Sequence, residues 1–173
     1  MYPWWRLTKL FVANKFRKPL DVKETSVIKS RVCLTDIDPF LEMNNGRYLT
    51  LYDFGRYDVA WRTGLWKAMK KNGLGFMVAG ISIRYRYRLR LFTPFEIHSK
   101  VVAMDERWIY FEQKFISRGK LHTAALVRTA VTSPKGLVPT KEILKLMGLE
   151  DLEMPVPDWI KHWAESDQMR PWE

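Results

Sequence analysis

The chain has 173 residues and a mass of 20.6 kDa, enough for one globular domain with an ordinary core and too little for two comfortable ones. Hydrophobic residues make up 47% and aromatics 14%, which excludes wholesale disorder. Twenty-nine basic against nineteen acidic side chains leave a formal charge of +10, favouring an anionic partner and leaving nucleic acid, an anionic bilayer and a phosphorylated small ligand open.

In chain order, the first segment is an amphipathic, cationic arm. Met1 to Lys18 carries Arg6, Lys9, Lys15, Arg17 and Lys18 and no acid, interleaved with Tyr2, Trp4, Trp5, Leu7, Leu10, Phe11, Val12 and Phe16. Packing on the domain or on a partner subunit, lying on a membrane surface with Trp at headgroup level, and targeting are three readings of such a segment. A signal peptide is disfavoured, because there is no continuous apolar region and no small-residue cleavage site. Ser26 to Leu34 is short, β-branched and partly alternating, which predicts a first strand. A polar, turn-rich segment follows from Asp36 to Tyr48.

Asn45 to Thr63 has helical spacing, with Tyr48, Leu51, Tyr52, Gly55 and Val59 on one face and Leu49, Phe54, Ala60 and Trp61 widening it. Asn44 or Asn45 supplies the N-cap and Gly64 the stop. So wide an apolar face predicts a helix buried on most sides. A second helix is expected over Leu65 to Lys71. In Ile81 to Leu91, Ile81, Ile83, Tyr85, Tyr87, Leu89 and Leu91 alternate with Ser82, Arg84, Arg86, Arg88 and Arg90, which predicts one long two-faced strand with the tyrosines in the core. Phe95 to Met104, Trp108 to Ser117 and Leu121 to Val131 read as further antiparallel strands. A helix over Thr140 to Met147 and a last helical piece around Trp159 to Ala164 close the chain.

Cys33 is the single cysteine, so there is neither an internal disulfide nor a thiolate cluster, and a reducing, cytoplasmic setting is expected. His98, His122 and His162 lie too far apart for a local metal motif, and no metal is expected. No apolar run approaches the ~20 residues of a membrane-spanning helix. The signatures G-x-S-x-G, G-x-x-x-x-G-K-[ST] and G-x-G-x-x-G are absent, which removes the motif support for a serine hydrolase of the usual α/β kind, a P-loop enzyme and a dinucleotide dehydrogenase.

The order is strand, buried helix, then a run of antiparallel strands: an α+β domain whose sheet curls around one long apolar helix. Two motifs accompany it: Asp36, Asp38, Glu42, Met43, Asn44, Asn45, Arg47, Tyr48 and Leu49, and later Arg90, Leu91, Pro94, Phe95 and Glu96. With this order and these motifs, the chain resembles the hotdog-fold acyl-CoA thioesterases of the 4-hydroxybenzoyl-CoA thioesterase type over about Val27 to Val131. It is most similar to the subgroup with a D-x-D-x-x-x-H-M-N-N-x-R-Y-L run. The resemblance implies a hotdog domain, read over 26–135; outside it lie the arm (1–25) and a C-terminal helical tail (136–173) expected to pack on the domain. It also implies a homodimer or dimer of dimers, with sheets pairing edge to edge.

The activity implied is hydrolysis of an acyl thioester, carried by coenzyme A or an acyl carrier protein, to free acid and thiol. No cofactor is implied beyond the coenzyme A moiety of the substrate. Asp38 aligns with the family's catalytic aspartate, as nucleophile or as base for a water, and Asn44 and Tyr48 orient the thioester or that water. Backbone amides around Asn45 and Gly46, at a helix N-terminus, suit the developing oxyanion. Glu42 stands where many members carry His, and a carboxylate does not donate a hydrogen bond at neutral pH unless its pKa is raised. The Arg84, Arg86, Arg88, Arg90 stripe is a solvated sheet face, a phosphate-binding row with Arg88 and Arg90 as substrate-binding candidates, or an interface with another dimer or an anionic surface. Nucleic acid is not the expected partner, since aromatics and Arg fall on opposite faces of that strand rather than sharing one. A non-catalytic acyl-thioester or lipid-binding protein at a membrane surface is the alternative.

Overall fold

Alternating burial along two central strands builds the floor of the molecule, and one helix lies on it. In the computed structural model, which describes residues 2–171, the chain runs α1 (Trp4–Asn14), β1 (Ser26–Arg31), a 3-10 turn (Leu34–Asp36), α2 (Asn45–Arg62), α3 (Leu65–Lys71), β2 (Gly75–Tyr85), β3 (Pro94–Met104), β4 (Ile109–Ser117), β5 (Lys120–Ser133), β6 (Gly136–Val138), α4 (Thr140–Met147) and α5 (Asp158–Gln168). Met1 of the arm and Trp172 and Glu173 of the tail lie outside the described residues.

The sheet has the order β1-β3-β4-β5-β2, antiparallel throughout, with β6 joined to β5. Phe95, Ile97, Val101 and Ala103 of β3 and Ile109, Phe111 and Phe115 of β4 are buried at alternate positions, as a half-covered strand requires. Against this sheet α2 buries Tyr48, Leu51, Tyr52, Phe54 and Val59. Gly55 marks the closest approach: a Cβ there would run into Ser99 Oγ and, at 2.7 Å, Gln113 Nε2. Beneath it lies a polar knot. Arg56 Nη1 donates to Gln113 Oε1 at 2.6 Å, and Gln113 Nε2 donates to the Tyr52 carbonyl and Ser99 Oγ. Arg56 also pairs with Asp53. Burial lowers the Arg56 pKa, and burial, partly offset by Arg56, raises that of the Asp53 carboxyl.

The arm folds onto the domain. Leu7 and Leu10 enter the core, and Phe11 meets Trp61 and Trp66 at 5.3 and 5.9 Å between ring centroids. Two arginines fix it to the outer edge of β1: Arg6 Nη2 donates to the Arg31 carbonyl and to Asp36 Oδ2 at 2.7 Å, and Arg17 donates to the Val27 carbonyl and to Asp58 Oδ1 at 2.5 Å. Asp36 and Asp58 are both fully buried. At the other end of the chain, α5 seats Ile160 against Ala103, Tyr110 and Leu126. Arg128 lies between the rings of Trp108 and Trp163, 5.1 and 5.2 Å from their centroids, and donates to Asp167.

The long strand expected over Ile81–Leu91 is corrected. β2 begins at Gly75 and ends at Tyr85, pairing with β5 across a bulge at Val78/Gly80. Beyond it the amides of Arg86 and Tyr87 both donate to the His122 carbonyl, and the chain leaves the sheet to bridge the loop before α2. The alternation runs across two structural units, because Leu89 is buried against that loop rather than in a strand. Tyr85 and Tyr87, expected in the core, are 46% and 48% exposed, the first at the end of the sheet's edge strand and the second beyond it. The first strand stops at Arg31, short of Leu34, because Leu34 enters the 3-10 turn. The final helix is longer than Trp159–Ala164.

Candidate active site

Everything at the site hangs on the N-terminus of α2 and the loop that feeds it. Asn44 is the N-cap: its Oδ1 accepts from the Gly46 amide at 2.9 Å, the usual role of Asn here. Of the two amides expected to serve an oxyanion, that of Gly46 is therefore engaged by Asn44. The Asn45 amide has no acceptor among the described residues. It stands at the positive end of an 18-residue helix. A cleft of about 450 Å³ opens here, lined by Asn44, Gly46, Arg47 and Thr50 of α2's start, Thr35 and Ile37 of the loop, and Tyr2.

The loop is a hairpin in miniature. Asp38 N–H donates to the Glu42 carbonyl, Leu41 N–H donates to the Asp38 carbonyl, and Ile37 bridges Met43. Asp38 is half-buried and its Oδ1 accepts from the Phe40 amide at 2.9 Å, an Asx turn, leaving Oδ2 with no protein partner among the described residues. Asp38 does not line the 450 Å³ cleft itself. At the tip Leu41 is held at φ 60°, and Phe40 and Leu41 are 82% and 65% exposed. Asp36 anchors the loop from beneath. Its carboxylate takes the Cys33 amide at 2.8 Å, Arg6 at 2.7 Å and Arg47 Nε at 3.1 Å, while its carbonyl accepts from the Asn44 amide.

A second group gathers on the other side of the loop. Glu42 Oε2 pairs with Arg88 Nε at 3.2 Å, and Glu42 bridges Arg90 along the backbone, while the Met43 amide donates to the Leu89 carbonyl. Tyr48 is buried edge-on to Phe115 and Tyr85, at 5.0 and 5.4 Å between centroids. Burial pushes its phenol pKa up to about 12, against the pull of a backbone hydrogen bond at Leu89. The candidate residues thus fall into two sets: Asn44, Asn45 and Gly46 at the helix start, and Glu42, Tyr48, Arg88 and Arg90 around Leu89, with Asp38 in the turn between them. Arg84 and Arg86 point to solvent. Thr35 and Tyr2 were not legible as site residues, because only the turn and the docking of α1 bring them to the cleft. Arg47 was visible as part of the motif.

Chemically, a half-buried carboxylate with a free oxygen and a free amide at a helix N-terminus are the two elements acyl transfer asks for: a nucleophile or base, and a donor for the oxyanion. Residues 32–164 match the thioesterase-like superfamily. The chain is 33% identical to Protein THEM6 of Danio rerio over 95% of its own length and 85% of that protein, and 29% identical to Protein THEM6 of Drosophila melanogaster over 92% and 82%. Among solved structures it is similar to a probable thioesterase from Bartonella henselae, at 21% identity and TM-score 0.61, covering 67% of this chain and 97% of that one. The probable thioesterase YbaW from Escherichia coli matches at 21% and 0.64 over 70% and 97%. The gentisyl-coenzyme A thioesterase BH1999 matches at 14% and 0.63 over 70% and 98%. These likenesses identify the architecture as the hotdog fold.

Proposed function

The chain belongs to the thioesterase-like superfamily, and from that premise we propose that it hydrolyses an acyl thioester of coenzyme A or of an acyl carrier protein at the N-terminus of α2. The observation that carries the reading is the unoccupied Asn45 amide at an Asn44-capped helix start, beside a loop that holds Asp38 with one carboxylate oxygen free. The Asn45 amide receives the thioester oxygen as charge develops on it. Asp38 takes a proton from a water whose oxygen bonds to the acyl carbon as the carbon–sulfur bond breaks, and that proton passes to the departing thiolate; or the Asp38 carboxylate attacks the acyl carbon and expels the thiolate, and a water then splits the mixed anhydride to free acid and carboxylate and supplies the thiol's proton. Asn44 holds the helix start in place for this, and Tyr48 fixes Leu89 and, with it, the Arg88–Glu42 pair.

With Glu42 tied to Arg88, it acts as a positioning residue, and Arg88 and Arg90 remain exposed at the rim for the phosphates of coenzyme A. The assembly proposed is a homodimer through the outer edge of β2. Support comes from Met77 and Val78, each 40% exposed there, and from the exposed apolar side chains of Phe40, Leu41, Tyr85 and Tyr87. The setting proposed is cytoplasmic.

The test is turnover on a panel of short, long and aromatic acyl-CoAs with Asp38→Asn as control. We expect thiol release that falls about 10²-fold or more in the variant; no turnover on any substrate, or an unaltered rate in the variant, overturns the reading. One observation favours a second reading, a non-catalytic binder at a membrane surface: Trp4, Trp5, Val12 and Phe16 of the arm are exposed beside Lys9, Lys15 and Lys18. Among the described residues no helix is long and apolar enough to cross a membrane. Liposome binding that disappears with residues 1–18, without hydrolysis, would select that reading.

A further inference from the structure

The largest cavity described is not at the α2 N-terminus. It has a volume of about 680 Å³ and lies between α1 and the outer edge of β1, within the roughly 300–1,000 Å³ range of small-molecule sites. Eleven of its sixteen lining residues precede residue 32, so most of it is built from chain outside the family match.

Its chemistry is divided. The floor is apolar: Leu51 and Phe54 of α2, Ile97 of β3 and Leu10 of α1. The walls carry five cations, Arg6, Lys9, Arg17, Lys29 and Arg31, and no carboxylate. Arg6 and Arg17 are engaged by Asp36 and Asp58. Lys9 has no anionic partner among the described residues, and Lys29 has only Glu96 at 3.7 Å. Arg6 itself is 7% exposed and committed to Asp36 and the Arg31 carbonyl, so the exposed lysines Lys9 and Lys29 are the cations open to a ligand. The strand edge contributes too. Arg17 and Arg6 take the carbonyls of Val27 and Arg31, so by the two-residue alternation of a strand the Lys29 peptide group between them faces the same cleft. Its amide is a further donor for an anion.

We propose that this cleft binds a single-chain amphiphile, an apolar tail against Trp5, Ala13 and Ile28 above the buried Leu51, Phe54 and Ile97, with an anionic carboxylate or phosphate head between Lys9 and Lys29. The site is separate from the proposed hydrolytic centre and is read by binding alone, so its failure and the failure of the thioesterase reading are distinct results.

The experiment titrates the full chain, by calorimetry below the micelle concentration, with dodecanoate, dodecyl phosphate and dodecyltrimethylammonium. Wild type is expected to bind one or both anions saturably at one site per chain and the cation at least tenfold more weakly. Lys9→Glu with Lys29→Glu, two exposed positions, is expected to weaken the anions at least tenfold, about 1.4 kcal/mol, with an unchanged melting temperature. Ala13→Trp, which narrows the cleft from α1, is expected to weaken the anions as well. Asp38→Asn is expected to bind as wild type does. The tighter of the two anions identifies the head as a fatty carboxylate or a phosphate monoester. No saturable binding, equal binding of the cation, or anion binding indifferent to both cleft variants overturns the proposal.

Discussion

The two edges of the sheet are finished in opposite ways. At β1 the outward carbonyls of Val27 and Arg31 are taken by Arg17 and Arg6, each guanidinium anchored on a buried aspartate, and α1 lies over the edge. At β2 nothing among the described residues pairs with the outer edge, and Met77, Val78 and Tyr85 are exposed along it. An unpaired edge is a template for another strand. The chain therefore blocks association at one edge by its own helix and leaves the other as the place where a second copy can continue the sheet.

The largest effect should come from uncovering the closed edge. Asp58 is 0% exposed and bonded to Ser26, Arg17 and Arg62, so Arg17→Ala leaves a buried carboxylate without its principal partner and should cost about 3 kcal/mol in urea unfolding. A loss below about 1 kcal/mol would mean that the pair is solvated and that the edge is covered by apolar packing alone. Charging the open edge should do something different in kind. Val78→Lys is expected to shift the protein from dimer to monomer in light scattering while changing the stability of the monomer by no more than about 0.5 kcal/mol; an unchanged oligomer moves the interface elsewhere.

The smallest effect lies under the helix that both edges flank. Asp53 has its pKa raised above the ordinary 3.8 by burial, only partly offset by Arg56. The folded chain thus retains a proton that the unfolded chain releases. Its stabilising contribution is complete below 3.8 and fades as pH rises through the raised value, so unfolding free energy should decline across that window in wild type and less steeply in Asp53→Asn.

What the sequence could disclose follows the range of the interactions. The bounds of α2 were legible because local chemistry sets them: Asn44 caps the start, and Gly64, at φ 86°, ends the helix. The helices over Leu65–Lys71 and Thr140–Met147 were legible for the same reason. The seat of α1 was not, since Arg6 and Arg17 find Asp36 and Asp58 across 30 and 41 residues. Nothing local in the sequence marks Arg56 and Asp58, yet both are buried by partners from other elements. Period-two alternation misplaced β2, because it reports which side chains turn inward and not whether their backbone is in a ladder. At the site, a cap at Asn44 or Asn45 was readable from composition and spacing, and the structure gives it to Asn44. That the same cap occupies the Gly46 amide and leaves Asn45 free required the geometry.

Gly55 carries a mechanical consequence. With no side chain between helix backbone and sheet, the spacing of the two layers is set by hard contact with Ser99 and Gln113, and the helix has a pivot rather than a cushion. A rod held at such a fulcrum resists being lifted, so on the function proposed a bulkier substrate would have to displace the loop at Phe40 and Leu41 rather than the helix start. If the proposed function holds, the Asn45 amide then keeps its position whatever acyl group is bound.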